Sequence, residues 1–282
     1  MMVPHNNAHV SWALSFSGIV VAVLSCEHGR PTSLGGVSGV FNYDRAPATA
    51  LIARHAAATY PYECDFGGAR LSIDEGVFCP TLTNASPLLL QSLQFAPFQR
   101  VMDVFAGCGA FGIVAAMHGS YAVTIDVSVK AVACTLRNAT MNSVEDRVDA
   151  RVGTLADCVA PNETFDLVVA NPPLLPGQPF DDLTGALFDP GLQATVDLVM
   201  ALPSLLSLSG RCYLLTSDVA DRHGCDVAQL CAEARLKHAV VQTADVGYER
   251  YRVHLIERTQ SGLRAHSPGR DTFRDCCSAR RP

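Results

Sequence analysis

The residues best suited to chemistry begin with a glycine-rich turn in the segment Val101-Met-Asp-Val-Phe-Ala-Gly-Cys-Gly-Ala-Phe-Gly. The apolar run at the start of this segment predicts a β-strand, and the residues after Gly109 predict a helix. Glycine lacks a Cβ, so Gly107 and Gly109 can bend the backbone tightly and lie close to a ligand. A turn of this kind binds a nucleotide-type ligand beyond the carboxyl end of its strand.

Two carboxylates accompany this turn. Asp103 stands on the strand before it, and Asp126 ends the next predicted strand, where a carboxylate can bind the ribose hydroxyls of an adenosine. Residues 107–112 also satisfy the dinucleotide pattern G-x-G-x-x-G, so the turn alone leaves the cofactor open. Asp126 has a second interpretation as the N-cap of the following helix, although Ser128 is itself a good cap residue.

A third polar group ends a later strand, where Asn171-Pro-Pro follows the apolar run Phe165–Ala170. The Asn171 side-chain oxygen and the Pro172 carbonyl offer two acceptors for the N–H groups of a nitrogen nucleophile. Proline fixes φ and has no N–H of its own, so the direction of the Pro172 carbonyl is rigid. The alternative interpretation is a strand-ending turn without chemistry.

Alternating strands and helices must bring these groups together. The predicted strands are Ala69–Ile73, Arg100–Val104, Ala122–Ile125, Asp149–Gly153, Phe165–Ala170, Gly210–Thr216, Ala239–Gln242 and Tyr251–Glu257. The predicted helices are Ala46–Tyr60, Ser86–Leu93, Phe111–Met117, Val129–Met141, Gln193–Leu206 and Gly224–Arg235. The seven strands after residue 99 predict an α/β fold with a doubly wound, mostly parallel sheet. Because only residues 243–250 separate the last two strands, they should pair as a hairpin with a reversed last strand.

From about Gly68 to Glu257 the chain resembles the Rossmann-like class I methyltransferases that use S-adenosylmethionine (SAM). Within them it resembles the HemK/PrmC-like amino-methyltransferases with an Asn-Pro-Pro motif. The matching segments are Gly76-Val-Phe-Cys-Pro-Thr, Asp103–Gly109, Asp126, Arg137-Asn-Ala, Asn171-Pro-Pro, Asp189-Pro-Gly-Leu and Gly210-Arg-Cys-Tyr-Leu-Leu. The resemblance implies SAM as cofactor, and it implies cofactor contacts from Asp103, Phe105, Gly107, Gly109, Asp126, Thr154 and Asn171.

Among those contacts, Asp103 would handle the methionine amino end of SAM. Thr154 would lie near the adenine, and Asp157 would serve there instead or be a plain surface residue. No His or Cys set has metal-ligand spacing, so no metal is expected.

The resemblance implies that Asn171, Pro172 and Leu174 act in catalysis. Methyl transfer from a sulfonium is an in-line displacement, and positioning supplies most of its acceleration. The family usually has Tyr or Phe after Pro-Pro, whereas this chain has Leu174, which predicts a non-aromatic acceptor. The expected function is N-methylation of a small molecule or of an amino-acid or protein side chain. Two alternatives stay open: cyclisation of SAM itself with release of methylthioadenosine, and a catalytically silent SAM-binding subunit.

Three regions are expected along the chain. Residues 1–65 would form an N-terminal lid, residues 66–258 the methyltransferase domain, and residues 259–282 a flexible basic tail. Aromatic residues of the lid are candidate substrate contacts, with ordinary core or surface positions as the alternative: Trp12, Tyr43, Tyr60 and Tyr62.

Charge and cysteine content set the expected partners and compartment. The net charge is −6, and five arginines against two aspartates make residues 259–282 +3, which leaves −9 for the remainder. An acidic body argues against a nucleic-acid partner, so a small-molecule or amino-acid substrate is expected. Eleven irregularly spaced cysteines predict reduced thiols in a cytoplasmic protein. The apolar stretch Val10–Cys26 has no Lys or Arg before it, which favours a buried segment over a signal or membrane anchor.

Overall fold

A computed structural model describes residues 12–13, 21–22 and 43–259 of the chain. The chain divides into two compact units, residues 1–40 and residues 41–282. In the first unit, β1 (Trp12–Ala13) and β2 (Val21–Ala22) pair antiparallel. Among the described residues, no helix is both long and apolar enough to span a membrane.

The second unit begins with helices and a hairpin, and it continues as an alternation of strands and helices. Its first elements are α1 (Ala46–Ala57), β3 (Tyr62–Phe66), β4 (Ala69–Ile73) and α2 (Ala85–Ser92). The next are β5 (Arg100–Val104), α3 (Ala110–Met117), β6 (Tyr121–Asp126), α4 (Val129–Met141), β7 (Val148–Val152), α5 (Leu155–Cys158) and β8 (Phe165–Ala170). The last are α6 (Asp182–Gly185), α7 (Gln193–Leu205), β9 (Leu206–Ser217), α8 (Asp218–Arg222), α9 (Val227–Glu233), β10 (Leu236–Asp245) and β11 (Arg250–Arg258).

Seven of these strands form one sheet in the order β10-β11-β9-β8-β5-β6-β7. The pairs from β9 through β7 are parallel, whereas β11 pairs antiparallel with both β9 and β10. This arrangement confirms the predicted doubly wound sheet with its reversed last strand.

Alternate residues of the central strands face two different layers of helices. Val101 and Leu167 belong to the core cluster shared with α2, α3 and α4, whereas Met102 and Val168 belong to the cluster shared with α7 and α9. All four side chains are fully buried. Strands buried on both faces read as nearly continuous apolar runs, and both β5 and β8 were predicted from such runs.

The structure differs from the prediction mainly at element ends and in short helices. The sequence missed α5, α6 and α8, which have four or five residues each and therefore carry little periodicity. It also missed β3, which pairs only with β4 in the hairpin. Of the predicted lid, only β1, β2 and the residues from 43 onward are described. The predicted basic tail lies outside the described residues beyond Thr259.

Candidate functional site

A cleft of about 1240 Å³ opens at the carboxyl ends of the parallel strands. Its wall contains the residues that follow β5, β6, β7 and β8, because parallel strands end at one edge of the sheet. Pockets for one small ligand usually enclose roughly 300–1,000 Å³. The cleft therefore has room for a cofactor and for the group that reacts with it.

The two predicted glycines of the turn serve different purposes. Gly107 has φ +56°, and a Cβ added there would meet no atom within 4 Å, so its backbone faces open space in the cleft. Gly109 has φ +80°, and a Cβ there would lie 2.5 Å from Cγ2 of Thr135 on α4. Gly107 thus leaves room for a ligand, whereas Gly109 lets helices α3 and α4 pack closely.

Asp126 lines the cleft and is hydrogen-bonded to the glycine-rich turn. Its Oδ2 accepts a hydrogen bond from the Gly107 N–H at 2.8 Å, and its Oδ1 accepts one from the Ser128 N–H at 2.9 Å. Burial raises the pKa of the carboxyl, and the backbone donors oppose that shift. The N-cap of α4 is Ser128, whose hydroxyl accepts from the Ala131 N–H. Each carboxylate oxygen has a further lone pair, so Asp126 can still accept hydrogen bonds from a ligand.

Asp103 lies beneath the turn and not on the cleft wall. Its side chain is 1% exposed, and it is absent from the described residues that line the cleft. Its Oδ2 accepts a hydrogen bond from the Gly112 N–H at 2.9 Å, in the first turn of α3. Burial raises the pKa of this carboxyl to about 8. This hydrogen bond lets Asp103 position the first turn of α3, and its contact with the amino end of a cofactor stays a prediction.

Phe105 and Thr154, the other predicted cofactor residues, both line the cleft. Phe105 is half-buried and has φ +62°. The Thr154 N–H and hydroxyl both donate to Oδ2 of Asp157, at 3.1 and 2.7 Å, and so cap α5. Asp157 is absent from the described cleft residues, and these hydrogen bonds lower its pKa. Asp157 is thus a capping partner of Thr154, a role that the sequence interpretation did not consider.

The three predicted catalytic residues lie together where β8 ends. Asn171, Pro172 and Leu174 all line the cleft; Pro172 is buried, and the other two are half-buried. The Asn171 Nδ2 donates to the Ser86 hydroxyl at 3.1 Å. The Asn171 amide is therefore oriented with its nitrogen toward Ser86 and its oxygen on the other side.

Ser86 is a site residue that sequence reasoning missed. It lies in the first turn of α2, lines the cleft and is 1% exposed. The sequence places it 85 residues before Asn171, so only the fold shows that the two side chains meet.

The turn between β10 and β11 is a second part of the site that the sequence did not indicate. Tyr248, Glu249 and Tyr251 line the cleft. The Ser217 hydroxyl donates to Oε1 of Glu249 at 3.5 Å, and burial raises the pKa of the Glu249 carboxyl. This turn brings the reversed strand to the same edge as the ends of β5 and β8.

The candidate tyrosines of the N-terminal region have structural positions. The Tyr43 hydroxyl donates to the Pro176 carbonyl at 2.9 Å, and the Tyr60 hydroxyl donates to the His55 carbonyl at 2.8 Å. Tyr62 packs against the core cluster that contains α3. None of the three is among the described cleft residues, and the Trp12 side chain lies outside the described residues. Helix α1 contributes cleft residues instead, among them Arg54.

The described cleft wall is predominantly acidic. Arg54 is the only Lys or Arg among the described residues that line it. Eight carboxylates line it: Asp44, Asp126, Glu163, Asp181, Asp182, Asp189, Asp197 and Glu249. A wall of one sign of charge raises the local concentration of ligands of the opposite sign.

Comparisons with known proteins agree with this architecture. Residues 68–193 match the family model described as the methyltransferase small domain. The chain is 25% identical over 127 residues to a release factor glutamine methyltransferase of Rhodopirellula baltica, which covers 42% of this chain and 43% of the relative. It is 35% identical over 104 residues to a ribosomal protein L11 methyltransferase of Desulfitobacterium hafniense, which covers 36% and 33%.

A solved structure shows the same fold. The T. thermophilus 16S rRNA N2 G1207 methyltransferase, in complex with AdoMet and guanosine, superposes with a TM-score of 0.52 at 22% identity. The match covers 70% of this chain and 50% of that structure. The chain spans less than half of the length of the two curated relatives described above.

These relatives overturn the expected partners. The sequence interpretation expected a small-molecule or amino-acid substrate and argued against nucleic acid. It is wrong, because the similar proteins are named for a release factor, a ribosomal protein and, in a relative from Azoarcus sp. that is 32% identical over 113 residues, a 23S rRNA. The predicted α/β fold of the methyltransferase type, by contrast, is confirmed by the sheet order and by the similar solved structure, and residues 68–193 match the methyltransferase small domain model.

Proposed function

We propose that this chain is a SAM-dependent methyltransferase that methylates a side-chain nitrogen of a protein. The observation that carries the proposal is the meeting of Asn171 and Pro172 with the Gly107 turn on the wall of one cleft. The turn supplies a place for the cofactor, and the Asn-Pro pair supplies acceptors for a nucleophilic nitrogen.

The residues around the turn fit SAM. Gly107 faces open space that a Cβ would otherwise enter, and Asp126 presents a carboxylate with free lone pairs beside it. Such a carboxylate suits a ribose diol, and the half-buried ring of Phe105 offers an apolar surface nearby. The Thr154 hydroxyl, which follows β7 and donates to Asp157, provides a polar group in a fixed position. When bound, SAM supplies an electrophilic methyl group on a positively charged sulfur.

Asn171 and Pro172 orient the acceptor nitrogen. The Ser86 contact fixes the Asn171 amide so that Oδ1 is free to accept an N–H of the acceptor. The Pro172 carbonyl, rigid because of the fixed φ of proline, accepts a second N–H. Two acceptors on the N–H groups direct the nitrogen lone pair at the methyl carbon, and this alignment is the main source of rate in a displacement of this kind.

The cleft wall favours a protein substrate. Two of its eight carboxylates are ion-paired within the chain, Glu163 with Arg100 and Arg151 and Asp182 with Lys130. The other six attract a polypeptide segment that carries Lys or Arg near the modified residue. Two of the relatives are named for proteins as substrates, a release factor and ribosomal protein L11. Leu174, packed against two core clusters, gives the acceptor an aliphatic neighbour and suits a non-aromatic side chain.

The test is transfer of a labelled methyl group from SAM to fractionated cell material. Purified full-length chain is incubated with a protein fraction and, separately, with an RNA fraction, and each product is treated with protease or ribonuclease. We expect label that protease releases, together with S-adenosylhomocysteine. Label released only by ribonuclease would assign an RNA substrate, and methylthioadenosine formed from SAM alone would assign cyclisation.

The matched variants are Asn171→Ala and Asn84→Ala. Both asparagines line the cleft, but Asn84 is exposed and makes no side-chain cap at the start of α2. Loss of one preorganised polar group costs about 10²-fold or more in turnover. We expect that loss for Asn171→Ala with SAM binding retained, and near-normal turnover for Asn84→Ala. Equal turnover of the two variants would contradict the role of Asn171.

A further inference from the structure

Two cysteines meet beside the cleft, outside the groups used above. Cys64 lies on β3 and Cys79 directly before the 3-10 turn Pro80–Leu82, and their Sγ atoms are 3.9 Å apart. The Thr81 hydroxyl lies 3.2 Å from the Cys79 sulfur. The S–S bond of a disulfide is about 2.05 Å long. Side-chain rotations that bring the two sulfurs about 2 Å closer would therefore allow the bond to form.

The two thiols differ in exposure. Cys79 is 1% exposed, whereas Cys64 is half-buried on the core-facing side of its strand. Of the free cysteines that the structure describes, Cys64 and Cys158 are half-buried and the others are buried. A dissolved oxidant therefore reaches Cys64 before it reaches its neighbour.

The two thiols also differ in acidity. The hydrogen bond shared with Cys64 lowers the pKa of Cys79, and the Thr81 hydroxyl adds to that shift, whereas burial opposes it. The same shared hydrogen bond, together with burial, raises the pKa of Cys64. Since the thiolate is the nucleophile in disulfide exchange, Cys79 is suited to complete a bond that begins at Cys64.

We propose that Cys64 and Cys79 form a reversible disulfide that ties the β3–β4 hairpin to the wall of the cleft. The co-reactant is a small disulfide of the glutathione class. Access decides the first step: Cys64 is the thiol that the reagent reaches, and its sulfur, deprotonated despite the raised pKa, attacks the small disulfide, giving a mixed disulfide and one free thiol. The Cys79 sulfur then attacks Cys64 and releases the second thiol. The protein loses two electrons and two protons, and the small disulfide gains them as two thiols.

The bond would act on the site because Cys79 is continuous with it. Residues 77–78 and 80–86 line the cleft on both sides of Cys79, and Ser86 at the end of that stretch holds Asn171. Drawing Cys79 toward β3 shifts this stretch relative to the end of β8. We expect the oxidised protein to lose turnover at least fivefold, a consequence that rests on the proposed function.

The site itself is tested without any activity measurement. Full-length protein is equilibrated with graded ratios of reduced to oxidised glutathione, alkylated and digested with trypsin. Cleavage after Arg54, Arg70 and Arg100 places Cys64 in peptide 55–70 and Cys79 in peptide 71–100, each with a single cysteine. We expect these two peptides to be recovered cross-linked under oxidising ratios and separate after reduction.

Variants separate the outcomes. Cys64→Ser and Cys64→Ala should abolish the cross-link, whereas Cys158→Ser, at the other half-buried cysteine, should leave it intact. Thermal unfolding checks that each variant is folded. Peptide 55–70 joined to peptide 101–130, which contains Cys108, or both thiols alkylated at every ratio, would overturn the proposal. A cross-link without loss of turnover would confirm the disulfide and contradict only its proposed effect on the cleft.

Discussion

The side-chain amide of Asn171 donates from Nδ2 to the hydroxyl of Ser86 at 3.1 Å. This contact connects the first turn of α2 to the end of β8. It holds the Asn171 amide with Nδ2 toward Ser86 and Oδ1 on the opposite side. Ser86 is buried and touches the half-buried Asn171, so Ser86 acts through Asn171 as a positioning residue.

Ser86→Ala should lower kcat about 2- to 10-fold, the loss expected for one hydrogen bond of about 0.5–1.5 kcal/mol, because the Asn171 amide is no longer held. SAM affinity should stay within about twofold, since Ser86 is not a predicted cofactor contact. Steady-state kinetics and calorimetry measure the two effects. Ser86→Thr restores a hydroxyl and should recover part of kcat, whereas a purely structural role would move thermal stability and leave kcat unchanged.

Asp126→Ala should weaken SAM binding by about 1.5–3 kcal/mol, the range for a charge-assisted hydrogen bond. The change also removes the acceptor of the Gly107 N–H, so the turn itself becomes less fixed. Calorimetry at one temperature gives the affinity. Ser128→Ala is the matched control: it removes the helix cap that Ser128 provides but leaves the carboxylate in place. Equal affinity of the Asp126→Ala variant and the native protein would refute the ribose role.

Asp103 should make stability fall as pH rises. Burial raises its pKa from 3.8 to about 8 in the folded protein, so between these values the folded state binds more protons than the unfolded state. The free energy of unfolding therefore decreases with pH across this window. Asp103→Asn removes the titrating group. The free energy of unfolding of the variant minus that of the native protein, measured in urea, should therefore increase from about pH 4 to pH 8. A constant difference over that range would contradict the buried carboxyl.

His254 should make stability fall as pH falls. Its Nε2 lies 2.8 Å from the Thr216 hydroxyl and its Nδ1 lies 2.7 Å from Nε2 of His238. Burial, with the neighbouring His238, lowers its pKa from 6.5 to about 3, so the unfolded state binds the proton first. The stability that neutral His254 contributes is present above pH 6.5 and is lost progressively toward pH 3.

His254→Gln keeps a polar side chain but does not titrate. The variant should be less stable than the native protein at pH 7, because the paired hydrogen bonds are disturbed, and the gap should narrow as pH falls toward 4. Chemical unfolding followed by circular dichroism at several pH values measures this. A gap that widens in acid would show that His254 is protonated in the folded protein.

The sequence predicted the central fold because burial leaves a local signature. Runs such as Phe165–Ala170 are apolar on both faces of their strand, and the glycines at 107 and 109 mark a strand-to-helix turn by their residue type alone. The order of these elements, together with the short link between β10 and β11, was enough to predict a parallel sheet with a reversed last strand.

Residue type in the sequence left the direction of some side chains open, and the structure shows that direction. Asp103 stands on the strand before the turn as a cofactor ligand would, yet its side chain points beneath the turn to the Gly112 N–H. Tyr43 and Tyr60 were candidates by residue type, but each donates its hydroxyl to the backbone carbonyl of a residue that is not among the described cleft residues. Orientation of this kind is set by packing, which local patterns do not encode.

Residue types and strand order, then, were determined by the sequence alone: the glycine turn, Asp126 after β6 and Asn171-Pro172 after β8, all at the carboxyl edge of one sheet. Only the tertiary structure decided which distant groups complete that edge. Ser86 precedes Asn171 by 85 residues and Cys64 precedes Cys79 by 15, and in each pair the two side chains meet only in the fold. Such contacts depend on how helices and hairpins pack across the sheet, and that packing follows from the burial of the whole core and from no single segment.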